Sequence, residues 1–231
     1  MKDTFEHKEI MELIDDTCKE NFSRKLEIFL RKESILSFIL GKQEVLDVGC
    51  GEGVLSIYLA RRGHKVTAID NGEASLKSAL ALTRKYSSPV NFQLGLAEKL
   101  NFSNDAFDLV IYEEVLEHLK EPLAALQEAR RVLRPKGKII FSVPNFKSLR
   151  ARMFKILGLE GRLLCPDHKQ NFNLRSITDL VNRAGFKIIT QTSDFIPIPK
   201  LALNMFLEKR MSLAQKFPFL GHHLIIYAEK Q

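Results

Sequence analysis

Residues 45–53 read Val-Leu-Asp-Val-Gly-Cys-Gly-Glu-Gly, a short apolar strand running into a loop with glycine at 49, 51 and 53. Glycine lets the backbone turn tightly where the strand ends and lets a ligand approach the main chain. Leu55 to Arg62 then carries helical patterning and is closed by Gly63. The unit is strand, glycine loop, helix, and it decides how the rest of the chain is read.

Upstream, apolar residues recur at helical spacing from Glu9 to Leu40 (Ile10, Leu13, Ile14; Phe22, Leu26, Phe29, Leu30), with a break near Asn21 and a stop at Gly41. Downstream, strands are expected at Lys65–Asp70, Val90–Leu94, Phe107–Tyr112 and Lys138–Val143. Helices at Glu73–Tyr86 and Leu123–Leu133 separate them, the second ended by Pro135-Lys136-Gly137. Strands alternating with helices specify a parallel sheet covered on both faces. After Pro144 the pattern changes to Lys147–Leu159, basic and apolar by turns, and then to the breakers Gly158, Gly161 and Pro166, which read as an insertion. A helix at Ser176–Ala184, a strand at Phe186–Thr192, a loop marked by Pro197 and Pro199 and a final strand at Leu224–Ala228 complete the chain.

The glycine loop suits a nucleotide-type ligand, although glycines after a strand also serve plain turns. Asp70 ends the second strand 23 residues after Asp47, where a carboxylate accepts hydrogen bonds from both ribose hydroxyls; the competing reading is a helix N-cap. A dinucleotide site shows GxGxxG with pyrophosphate at the helix N-terminus. That spacing is absent, and Asp47 before the loop would repel pyrophosphate while suiting a cationic ligand with an amino group and a sulfonium.

At these residues the chain resembles the class I S-adenosylmethionine-dependent methyltransferases, from about Val45 to Lys230. VLDVGCGEG is similar to the family's first motif, TAID to its ribose-binding strand end, LAEKLNF and FDLVIYEEVLEH to its third- and fourth-strand motifs, and VLRPKGKIIFSVPN to its fifth. The resemblance implies a doubly wound, Rossmann-like α/β fold with a seven-stranded sheet whose last strand is antiparallel, N-terminal helices and an insertion after the fifth strand. It further implies that Gly49 and Gly51 approach the methionine part of the cofactor with Asp47 close by, that Asp70 holds the ribose, and that Asn71, Ala97 and Glu98 flank the adenine. Glu113 is assigned to the cofactor side as well. Leu96 stands where many relatives carry Asp, which removes an acceptor for the adenine amino group.

Glu113-Glu114-Val115-Leu116-Glu117-His118 follows the fourth strand at the sheet's carboxyl edge, where open α/β proteins bind ligands. If helical, Glu114, Glu117 and His118 share one face. Two carboxylates and an imidazole there suit a divalent cation such as Mg²⁺, or a general base (His118) with an orienting acid (Glu117); a packing histidine is the plain alternative. ExxEH with a strand ending in VPN and a downstream histidine is similar to metal-dependent small-RNA 2′-O-methyltransferases and to the polyprenyl-catechol O-methyltransferases of ubiquinone biosynthesis. That resemblance adds His168 to Glu114, Glu117 and His118 as a metal-ligand set.

The chain has 231 residues, 45% hydrophobic and 27% charged, enough for one domain and one core. Within that domain the expected parts are N-terminal helices (1–44), a cofactor half (45–143), an insertion or lid (144–175) and an acceptor-side half (176–231). No apolar run reaches the roughly 18 residues of a membrane span and no leader is recognisable at the N-terminus, so a cytoplasmic protein is expected. Cys18, Cys50 and Cys165 form neither a zinc motif nor a disulfide framework. The net charge of +7 is unevenly distributed: residues 130–231 hold 19 basic and 6 acidic groups, whereas 1–44 hold 8 and 10 and 45–129 hold 8 and 12. The surplus points to an acceptor that is phosphate-bearing, lipid-linked or at a membrane surface, with Lys147–Leu159 and Pro199–Phe219 as the contacting stretches. The chemistry expected is O-methylation of a small-molecule or lipid-linked hydroxyl. The alternatives are RNA 2′-O-methylation, in which nucleic acid is the anionic partner, and a non-catalytic cofactor-binding module. Oligomeric state has no signal in the sequence.

Overall fold

The structure, a computed structural model, describes residues 4–159, 165–194 and 207–231, with side chains described from residue 7 to 159, 165 to 194 and 212 to 231. Two helices, α1 (Thr4–Thr17) and α2 (Phe22–Leu36), come first. Asn21 separates them as the N-cap of α2, its side chain accepting from the Arg24 N–H. There follow β1 (Glu44–Val48), α3 (Val54–Arg61), β2 (Lys65–Asp70), α4 (Glu73–Tyr86), β3 (Val90–Leu94), β4 (Phe107–Glu113), α5 (Pro122–Val132) and β5 (Leu133–Pro144). The chain ends with α6 (Leu149–Ile156), α7 (Leu174–Arg183), β6 (Phe186–Ser193), α8 (Leu207–Lys216) and β7 (His223–Lys230).

The seven strands form one sheet in the order β3-β2-β1-β4-β5-β7-β6. Neighbours from β3 to β5 are parallel and β7 is antiparallel to both of its neighbours. Central strands buried on both faces explain why Leu109–Tyr112 reads as an unbroken apolar run and why Val45, Leu46 and Val48 surround the single buried Asp47. One face packs on α5 and α7 through Leu126, Ala129, Ile177 and Val181; the other meets α2 and α3 through Ile35, Leu55 and Leu59. Among the described residues no helix is long and apolar enough to cross a membrane.

Register brings the functional residues to one edge. Asp47 lies opposite Ala68 and Ile111, Glu113 opposite Ser142, and Pro144 opposite His223. Because β7 runs antiparallel, it begins at the carboxyl edge where its neighbours end, and its first residue joins the tips of β1, β2, β4 and β5.

Three sequence expectations change. Pro135-Lys136-Gly137 lies inside β5, where the pairing with β4 shifts register between Phe107 and Leu109 and Lys136 takes φ +63°, so strand and helix meet at Leu133 without a separating loop. Residues 113–118 are not one helix: Glu114 has φ +56° and only Leu116–His118 forms a 3₁₀ turn. Helix α8 has no counterpart in the sequence reading. Gly161, Pro197, Pro199 and the apolar-basic stretch from Lys200 to Phe206 fall outside the described residues.

Helix α7 starts with a capping box in which the Asn173 side chain accepts from the Arg175 and Ser176 N–H groups and the Ser176 hydroxyl receives the Asn173 N–H. Asn173→Ala is expected to lower stability by about 1 kcal/mol, seen as a fall of about 2–4 °C in Tm by thermal unfolding.

Candidate functional site

Gly49 takes φ +72°, and a Cβ there would lie 2.4 Å from Val115 Cγ2, so the loop after β1 can lie against the turn after β4 only because position 49 has no side chain. Gly51 takes φ +52° in the same loop. The Asp70 carboxylate braces the loop: Oδ2 accepts the Gly51 N–H at 2.9 Å and Oδ1 accepts the Gly72 N–H at 2.8 Å. A carboxylate has about four acceptor positions, so lone pairs remain for ligand hydroxyls.

Two clefts meet at Gly49. The first, about 220 Å³, is lined by Asp70, Asn71, Ala97 and Glu98 on one side and by Glu114 and His118 on the other. The second, about 350 Å³, is lined by Gly51, Asp47, Glu113, Arg31 and Lys32. Leu96, lining the first cleft, is 54% exposed and gives that wall an apolar surface in place of an acceptor.

Carboxylates dominate this edge, and each has a different environment. Asp47 is buried and accepts the Ser56 hydroxyl at 2.5 Å; burial pushes its carboxyl up to about 6 against the lowering effect of that bond. Glu113 accepts from Arg31 Nε at 2.9 Å and from Lys32 Nζ at 2.5 Å, so both of its oxygens are committed to α2. Burial opposes its charge, but the Lys32 and Arg31 charges hold it below the usual carboxylate range. Glu114 accepts the Ser142 hydroxyl at 3.1 Å and faces His223 Nε2 at 3.2 Å. Burial is again outweighed, here by His223 and Arg31, and Glu114 stays ionised well below its usual range. Glu117 is 1% exposed, and neither of its oxygens has a hydrogen-bond partner. Burial and then the neighbouring Glu114 charge push its carboxyl up to about 8.

The backbone of Glu117 recruits the downstream segment: its carbonyl accepts the Lys169 and Gln170 N–H groups at 2.8 and 3.0 Å. His168 thereby meets His118 with ring centroids 4.8 Å apart, and His118 Nδ1 lies 3.3 Å from the Asp167 carbonyl. Candidate ligand atoms of Glu117, His118 and His168 all lie within 4.8 Å of one another. His168 Nδ1, like the Glu117 oxygens, is buried without a partner. This donor set suits a divalent cation. Glu114, expected on the same helical face, stands outside the group because its positive φ and its bonds to Ser142 and His223 turn it elsewhere.

Sequence reasoning missed Arg31 and Lys32 in α2, and Asp194 and His223 from the far end of the chain. Arg31 Nη1 is buried without a partner beside the second cleft. An unbalanced basic pair within an acidic N-terminal section was the available signal for the first two; for the others, sequence spacing gives none.

Residues 46–141 match the family model described as a methyltransferase domain. That stretch, running from β1 into β5, is what the chain shares with the family. It is 39% identical over 127 residues to the ubiquinone biosynthesis O-methyltransferase of Pseudomonas fluorescens, a match covering 52% of each chain. The chain thus spans about half the length of the curated relatives it matches. Among solved structures, an S-adenosylmethionine-dependent methyltransferase from Thermotoga maritima superposes with a TM-score of 0.67 at 18% identity, over 96% of this chain and 100% of that one. The [4+2]-cyclase SpnF does so at 0.66 and 18%, over 92% and 83%. The fold shared with these structures therefore extends over nearly the whole chain, and the cyclase shows that fold alone does not set the reaction.

The raised Glu117 carboxyl gives a signed prediction. The folded protein holds this proton up to about pH 8 while an unfolded carboxyl releases it near 4.5, so this contribution to stability is full below pH 4.5 and is lost as pH rises toward 8. In EDTA, Glu117→Gln should leave Tm nearly unchanged at pH 5 and raise it by several degrees, about 5 °C or more, at pH 8. Parallel Tm profiles for the two proteins would show that Glu117 is not a buried acid.

Proposed function

We propose that this chain transfers the methyl group of S-adenosylmethionine to a hydroxyl of a small or lipid-linked acceptor. The observation that carries the reading is the pair of clefts joined at Gly49, with ribose-type, anionic and cationic recognition in sequence along them. Asp70 and the Asn71–Glu98 wall suit an adenosine, and the glycine backbone suits the neck of the ligand. The unpartnered Arg31 Nη1 suits a carboxylate, while Asp47 suits an amino group.

An acceptor hydroxyl must lose its proton during in-line attack on the sulfonium methyl, and much of the rate comes from aligning oxygen, methyl and sulfur. With no cation bound, His118, half-buried at the mouth of the first cleft, is placed to take that proton, with its ring held beside the Asp167 carbonyl. Glu117, His118 and His168 would hold a divalent cation, which when bound supplies Lewis-acid polarisation of the acceptor oxygen. The partner-free Glu117 oxygens support this donor assignment.

The relatives' designation as O-methyltransferases of ubiquinone biosynthesis supports a phenolic hydroxyl. A lipid-linked acceptor is supported by α6, which presents Ile156 (84% exposed) and, just after it, Leu157 (62%) beside the exposed Arg152 and Lys155. That face supports peripheral contact with an anionic membrane as part of the reading.

Transfer of labelled methyl from S-adenosylmethionine to 3,4-dihydroxybenzoate tests the reading. EDTA is expected to reduce the rate, Mg²⁺ to restore it, and His118→Ala to lower kcat by about 10²-fold or more. Undiminished turnover in EDTA would remove the cation and leave His118 as the base; no turnover of any hydroxyl acceptor would reject O-methylation.

A further inference from the structure

The mechanism above uses Glu117, His118 and His168 but leaves unexplained a second buried cluster at the same edge, formed where β6 ends and β7 begins. Asp194 lies fully buried just beyond Ser193 and grips His223 twice: Oδ1 accepts the His223 backbone N–H at 3.0 Å, and Oδ2 lies 2.6 Å from ring Nδ1. On the other side of the ring, Nε2 lies 3.2 Å from Glu114 Oε2. Both partners are carboxylates, which only accept when ionised, so both ring nitrogens donate. Burial works against the charged ring, but Glu114 and Asp194 outweigh it and raise His223 to about 9. Glu114 in turn lines the first cleft, across from Asp70. Its remaining bond runs to the Ser142 hydroxyl, and the Ser142 carbonyl and hydroxyl both receive the Glu114 N–H at 3.2 Å, which holds that residue at positive φ.

A buried charge pair by itself adds little to stability, because desolvation offsets much of its attraction. A chain of two carboxylates and an imidazole leading along that edge from the end of β6 to a cleft wall has a better use. We propose that His223, clamped by Asp194, is a positioning residue that fixes the Glu114 carboxylate in the cleft wall beside the transferring methyl. The antiparallel turn of β7 is what makes this contact available: a parallel seventh strand would start at the opposite edge. The proposal rests on the methyl-transfer reading for what happens in the cleft, while the orientation of Glu114 is independent of it.

The test has two arms on the full chain. In the first, glutamate is labelled with ¹³C at the carboxyl and histidine with ¹⁵N. Glu114→Gln is expected to shift the His223 Nε2 resonance, and Asp194→Asn, one residue removed, to shift the Glu114 carboxyl resonance. A Glu114 resonance indifferent to both Asp194→Asn and His223→Gln overturns the proposal whatever the reaction proves to be.

In the second arm, methyl transfer to 3,4-dihydroxybenzoate is measured for His223→Gln, Glu114→Gln and the double variant, with S-adenosylhomocysteine affinity from calorimetry. His223→Gln should lower kcat by about 10- to 100-fold with the dissociation constant changed by less than about twofold, and should cost nothing further in the Glu114→Gln background. Losses that multiply, or affinity and Tm that fall together without a kcat effect, assign His223 a purely structural role and overturn the proposal. Wild type that is inert toward the catechol overturns the acceptor assignment instead, and the first arm still decides the positioning of Glu114.

Discussion

The constraint on which the rest depends is the crowding of Asp47, Asp70, Glu113, Glu114 and Glu117 at the carboxyl edge of one sheet. Like charges this close cannot all remain ionised without compensation, and the fold supplies it from separate directions. Helix α2 brings Arg31 and Lys32 to Glu113, α3 brings Ser56 to Asp47, the glycine-loop backbone meets Asp70, and β7 brings His223 to Glu114. Glu117 alone among these five has no hydrogen-bond partner for its oxygens and holds its proton most tightly. The edge is arranged so that one acid is left over, and it stands beside two histidines.

This explains why the N-terminal helices and the last strand belong to the site as much as the glycine loop does. Removing α2 would leave Glu113 buried without its counter-charges, a loss that typically costs several kcal/mol. The loop itself relies on the missing side chain at position 49, since the contact with Val115 draws the turn carrying Glu114, Glu117 and His118 against the glycine loop.

The strands and most helices were legible in the sequence because apolar runs, glycine stops and the Asn21 break report local physics. The conformation of residues 113–118 was not legible, since Ser142, 28 residues away, takes the Glu114 N–H and pulls that residue out of the helical region. The grouping of Glu117, His118 and His168 was legible through resemblance alone: Glu117 and His118 lie close in the chain, whereas His168 is held beside them by backbone bonds to the Glu117 carbonyl. The charge division also changes meaning. Part of the C-terminal surplus stitches the fold, with Arg131 bonded to the Leu100 and Phe102 carbonyls and Arg134 to Asp108 and Glu44. The cations that line the second cleft come instead from the acidic N-terminal section.

A crystal structure grown with S-adenosylhomocysteine tests the central claim most directly. The account predicts one ligand running through both clefts and bending at Gly49, with ribose hydroxyls on Asp70, adenine between Asn71 and Glu98, and its carboxylate on Arg31. A crystal in which the ligand is absent, or lies in one cleft with Arg31 and Asp70 untouched, would contradict it.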